Sequence, residues 1–218
     1  MQELFVKISG VTTLDDALHA VRCKADAVGL VFTGENPRAL SARDARTIIA
    51  GLPEHISKVG VFLGDDLSFV REIIGAVPLS AVQLHGAYGP DDLVSFDTSV
   101  IRAFDVGGDF DVEVLRNYIV DALLLNASHP RGPGGKGNVF EWNVALRAKE
   151  YGRVILAGGL TPENVEGAVR FVRPYGVSVC RGVERWPGSM DPDKVRDFIA
   201  RAKGATIPES GDEGEWEQ

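Results

Sequence analysis

Eight short apolar runs recur along the chain: Leu4–Ile8, Ala27–Phe32, Lys58–Leu63, Ser80–Leu84, Val100–Phe104, Ala122–Leu125, Val154–Ala157 and Gly176–Cys180. Most are rich in Val, Ile and Leu and lack strict polar alternation. A strand apolar on both faces must be covered on both faces, the condition of a parallel sheet wrapped by helices. Amphipathic stretches lie between most of the runs. Thr13–Cys23 opens with Thr13 as N-cap ahead of Asp15 and Asp16, which suit the positive helix end. Ser41–Ala50 carries Ala45, Ile48 and Ile49 on one face. Leu67–Ala76, Asp111–Tyr118, Trp142–Glu150, Pro162–Phe171 and Pro192–Ala202 follow the same pattern. In Pro162–Phe171, Thr161 is expected as N-cap with Pro162 at the first helical position. The stretch Pro90–Phe96 is the least regular.

Strand–helix alternation fits an open doubly wound sheet or a closed barrel. A count of eight strands in 218 residues, with glycine loops late in the chain, favours a single (β/α)8 barrel. The barrel is expected over residues 1–203. Residues 204–218, rich in acids with Gly, Pro and Ser, read as a disordered tail. Net charge is −8 with no basic stripe, which disfavours nucleic acid and anionic membranes as partners. Cys23 and Cys180 give neither a disulfide framework nor metal spacing. No leader segment or membrane-spanning run is visible, so the expectation is a soluble cytoplasmic protein.

Glycines mark the strand ends where such barrels bind ligands. Ala157-Gly158-Gly159-Leu160-Thr161 follows the seventh run and precedes a helix. Paired glycines let backbone N–H groups approach an anion, although they also suit any tight turn. Val179-Cys180-Arg181-Gly182 follows the eighth run, where a barrel completes a phosphate site, and Arg181 adds a charge. Together these two loops predict phosphate binding. Gly132-Pro133-Gly134-Gly135-Lys136-Gly137 matches a dinucleotide glycine pattern, but it follows the sixth run and lacks the acidic partner. Gly135, Lys136 and Gly137 read instead as a lid loop. Arg38, after the second run, is placed to grip a carboxylate. His85 directly follows the fourth run and either touches substrate or caps the mouth. His129 reads as a solvated loop residue, and His19 and His55 carry no site signal.

Taken together, these segments resemble phosphoribosylanthranilate isomerase. The resemblance rests on Val6-Lys7-Ile8-Ser9-Gly10, Gly60-Val61-Phe62, Val82-Gln83-Leu84-His85-Gly86, Gly134-Gly135-Lys136-Gly137 with Phe140 and Trp142, Leu156-Ala157-Gly158-Gly159-Leu160, and Gly182-Val183-Glu184 with Pro187-Gly188. It implies a (β/α)8 barrel that catalyses an Amadori rearrangement in tryptophan synthesis without cofactor or metal. A general acid opens the furanose ring and a general base removes the sugar C2 proton. It implies that Arg38 holds the anthranilate carboxylate and that Gly159 and Gly182 supply phosphate-binding backbone.

Against that pattern, Ser9 stands where the family has its basic Cys, and Asn126 where it has its acidic Asp. A hydroxyl is far less acidic than a thiol, and an amide donates no proton at neutral pH. Each lost acid or base function costs about 10²–10⁴ in rate. Ser178 replaces an Asp, Cys180 and Arg181 replace two serines, and Asn138 replaces a Lys. Near-isosteric swaps at Ser9 and Asn126 alone would suit a designed knock-out; the other four differences favour natural divergence.

The expectation is therefore a protein, monomer or homodimer, that binds a phosphorylated sugar joined to an aromatic acid, with weak or altered isomerase chemistry at Ser9 and Asn126. The alternatives are a non-catalytic phosphosugar binder, or a different reaction on a related compound, for which Cys180 and His129 are the nearest replacement groups.

Overall fold

The computed structural model describes residues 3–94, 96–107, 109–127 and 139–205. Eight parallel strands close into a barrel in sequence order: β1 (Phe5–Ser9), β2 (Ala27–Val31), β3 (Ser57–Leu63), β4 (Ala81–His85), β5 (Ser99–Val106), β6 (Ala122–Ala127), β7 (Val154–Ala157) and β8 (Gly176–Val179). Closure is made by β1 against β8, pairing Phe5 with Gly176 and Ile8 with Val179. The connecting helices are α1 (Leu14–Arg22), α2 (Ala42–Ala50), α3 (Leu67–Ala76), α4 (Pro90–Leu93), α5 (Val139–Ala148), α6 (Val165–Val172) and α7 (Pro192–Gly204). Between β5 and β6 the chain makes a 3₁₀ segment, Val112–Asn117, where an α-helix was expected. Among the described residues no helix is long and apolar enough to cross a membrane.

The missing polar alternation follows from two separate cores. Outward residues such as Val6, Ile8, Val28, Leu30, Phe62, Leu84, Leu123 and Val177 pack beneath the helices. Inward residues Ala27, Val59, Ala81, Ile101, Ala103, Ala122, Leu124 and Ile155 fill the barrel. Small alanines suit that narrow interior, which leaves room for two long polar side chains, Lys7 and Gln83.

Local signals explain most boundaries. The Thr13 side chain accepts from Asp16 N–H at 3.1 Å and starts α1, and Ser41 does the same for α2 through Asp44. Two expectations need correction. Helix α6 begins at Val165 with Asn164 at the cap, so Pro162 lies in a preceding turn. The Thr161 hydroxyl accepts from Glu163 N–H there, and Asn164 Oδ1 accepts from Thr161 N–H. These side-chain bonds hold three residues in a turn before the helix takes over. Likewise α7 runs through Gly204, beyond the expected boundary at 203, and Ala205 is still buried. Residues 206–218, and with them most of the expected tail, lie outside the described residues.

Helix α7 seals the β1–β8 seam. Its Phe198 is fully buried beside Val195, Ile199 and Ala202. Phe198→Ala is expected to cost about 3–5 kcal/mol, because the cavity left at the seam cannot collapse. A urea unfolding curve of the variant checks this through a lower midpoint at an unchanged slope.

Candidate active site

A cavity of about 660 Å³ opens at the C-terminal ends of the strands. Ser9, Arg38, His85, Asn126, Gly158, Gly159, Ser178, Cys180, Arg181 and Gly182 all line it. The expected lid residues Gly135, Lys136 and Gly137, together with His129 and Asn138, lie outside the described residues. Cys23 is remote, on the helical side, 3.5 Å from His19 Nε2.

The two glycine loops meet. Gly158 and Gly159 both have positive φ, 78° and 62°, which glycine adopts without strain. Gly182 packs so closely that a Cβ there would collide with the carbonyl oxygen of Leu160. The turn after β7 and the turn after β8 therefore form one continuous backbone wall, with Arg181 on it.

Arg38 is anchored from behind. Its Nε donates to Glu184 Oε1 at 2.7 Å and its Nη2 to Glu184 Oε2 at 2.6 Å. Both side chains are nearly excluded from solvent. The bond to Glu184 pushes the guanidinium pKa upward, so Arg38 stays charged. Glu184 takes the Nε–Nη2 edge, and the Cys180 side chain also hydrogen-bonds the guanidinium. Glu184 also accepts from Gly188 N–H at 3.0 Å, and Thr12 donates to Gly188 O at 2.6 Å. The hairpin Glu184–Trp186 with Ser189–Met190 is thereby fixed against the loop after β1.

Ser9 Oγ lies 3.5 Å from Ser178 Oγ, and neither partner is a base. Cys180 does not supply one: burial pushes its thiol up to about 11, so it is protonated at neutral pH. A protonated thiol accepts no proton, so Cys180 is not a base at neutral pH.

Three groups in the site were not singled out from the sequence. Lys7 sits fully buried on β1 and donates to Gln83 Oε1. Gln83 Nε2 in turn lies 2.5 Å from His85 Nε2. With its oxygen engaged by Lys7, the Gln83 amide donates, so His85 Nε2 accepts and the ring proton belongs on Nδ1. Burial and the Lys7 charge hold the His85 pKa down to about 4, so His85 is neutral at pH 7. Burial lowers Lys7 to about 7. The third group is Asp105 on β5, whose Oδ1 accepts from Asn126 Nδ2 at 2.5 Å.

Residues 6–201 match the family model for N-(5'-phosphoribosyl)anthranilate (PRA) isomerase. The chain belongs to this family. The N-(5'-phosphoribosyl)anthranilate isomerase of Geobacter metallireducens is 46% identical over 198 residues, covering 91% of this chain and 98% of that relative. Its counterpart from Geobacter sulfurreducens is 47% identical over 199 residues, with the same coverage. Among solved structures, the Thermotoga maritima phosphoribosyl anthranilate isomerase superposes with TM-score 0.83 at 39% identity, over 92% of this chain and 99% of that one. A phosphoribosyl anthranilate isomerase complexed with reduced 1-(o-carboxyphenylamino)-1-deoxyribulose 5-phosphate matches with TM-score 0.81 at 36% identity, over the same shares. The isomerase fold is thus retained around a mouth whose titratable groups are distributed as described.

The buried Lys7 gives a pH signature. From about pH 7 to its ordinary value near 10.5, the unfolded chain holds the Lys7 proton and the folded chain does not. Stability therefore rises with pH across that window, by at most about 1.4 kcal/mol per unit, and the burial cost is fully present below it. Lys7→Met is expected to raise the melting temperature more at pH 6 than at pH 9. Thermal unfolding at the two pH values measures the difference; an equal shift at both contradicts the neutral buried amine.

Proposed function

We propose that this chain binds an N-(5'-phosphoribosyl)anthranilate-type ligand at the barrel mouth and isomerises it slowly. The observation that carries this reading is the continuous wall formed by Gly158–Leu160 and Arg181–Gly182, which lines one cavity together with Arg38. Backbone N–H groups at that wall suit a phosphate dianion, and Arg181 adds a charge where a serine would add only a hydroxyl. Arg38, held charged by Glu184, suits the aromatic carboxylate. Val31, Val61, Leu63 and Leu124 supply apolar surface in the same cavity. His85 and Ser178 serve as neutral hydrogen-bonding contacts to the sugar. The relative solved with the reduced deoxyribulose phosphate supports a ligand of this shape.

Slow turnover follows from the reacting positions. Ser9 has a hydroxyl in place of the family thiol, and its neighbour is another hydroxyl. Asn126 cannot release a proton. Losses of about 10²–10⁴ per missing acid or base function apply to the proton-transfer steps and leave binding largely intact.

A Ser9→Cys/Asn126→Asp double variant is expected to raise kcat on phosphoribosylanthranilate by about 10²-fold or more, with KM little changed. Anthranilate fluorescence follows the reaction. A rise in KM with no gain in kcat would contradict the reading.

A further inference from the structure

The carboxyl group missing from Asn126 has a counterpart one strand away. On β5 the residues Ile101 and Ala103 point into the barrel, and strand alternation places Asp105 on the same inward face. The register pairs Asp105 with Asn126, a residue of the cavity wall. Their side chains meet at 2.5 Å, the amide donating and the carboxylate accepting. From β4, His85 feels the Asp105 charge, and on β5 itself Arg102 does the same. His85 is poorly suited to replace the acid, because its accepting nitrogen is engaged by Gln83 and burial keeps the ring neutral. Cys180 follows β8, two strands away from Asn126 on β6. Asp105 is exposed at the end of β5.

We infer that Asp105 takes over proton donation to the sugar ring oxygen, with Asn126 holding it in place. The inference rests on the proposed phosphoribosylanthranilate chemistry. In the step assigned, the proton on the Asp105 carboxyl passes to the furanose ring oxygen. The bond from that oxygen to C1 breaks, its electron pair staying on oxygen. The lone pair of the anilino nitrogen forms the C1–N double bond, and Asp105 is left as carboxylate. Removal of the C2 proton is a separate step in which Asp105 has no part. An adjacent-strand donor is displaced by about one strand spacing, ~4.8 Å, from the position of Asn126. A carboxyl reaches the ring oxygen from there directly or through one water, the two geometries open to a general acid.

The test uses the full chain, phosphoribosylanthranilate as substrate, and the reduced deoxyribulose phosphate analogue as a separate binding probe. Asp105→Asn is expected to lower kcat by about 10²-fold. KM and the analogue's Kd should stay within about twofold. Adding Asn126→Asp to Asp105→Asn returns a carboxyl to the pair and is expected to restore turnover. Turnover of Asp105→Asn within about twofold of the parent overturns the inference, and so does a double variant no faster than Asp105→Asn alone. A parent chain that binds the analogue without turning over substrate overturns the Asp105 assignment but leaves the binding reading standing. Absence of analogue binding overturns the binding reading itself, through a readout that the Asp105 variant does not enter.

Discussion

Closure of β1 onto β8 is the constraint on which the site depends. Residues 5–8 pair with residues 176–179, and that pairing joins the two ends of the chain. It sets Ser9 beside Ser178 and brings Glu184 behind Arg38, 146 residues away in sequence. It also ties Thr12 to Gly188. None of these contacts is local, so each carries the entropy of closing a long loop and persists because α7 and the outer core hold the seam shut. The geometry of the mouth is thus a consequence of barrel closure more than of any single loop.

Inside the barrel, polarity is concentrated rather than absent. A ring of alanines and branched residues surrounds Lys7 and Gln83, and the chain of hydrogen bonds from Lys7 to His85 ends at the cavity. A buried amine without a carboxylate partner favours its neutral form, and the partner available to it is an amide. The mouth therefore combines two hydroxyls and a high-pKa thiol at the β1–β8 seam with a neutral imidazole and the Asp105–Asn126 pair along β4 to β6. Binding groups are plentiful there and strong bases are few.

Much of the architecture was legible because parallel strands covered on both faces leave continuous apolar runs, and all eight runs became strands with ends within a few residues. The misplaced ends are informative. Val100–Phe104 stops short because Asp105 looks like a loop residue, yet an inward-facing strand end at a barrel mouth is where a carboxylate is tolerated. Pro162 looks like a helix start, but bonds from Thr161 and Asn164 make a turn first. Lys7 and Gln83 were passed over inside the apolar runs that contain them. Their signal was there: a polar residue in a strand buried on both faces must find a partner inside. Glu184 stood in the Gly182-Val183-Glu184 motif, but its pairing with Arg38, 146 residues away, had no sequence signal.

A structure of this chain with reduced 1-(o-carboxyphenylamino)-1-deoxyribulose 5-phosphate bound is the most direct measurement. The account predicts the phosphate against the backbone of Gly158–Leu160 and Arg181–Gly182, the aromatic carboxylate on Arg38, and the ribulose carbons between Ser9 and Asn126. A ligand seated elsewhere, or a phosphate turned away from those two loops, would contradict it.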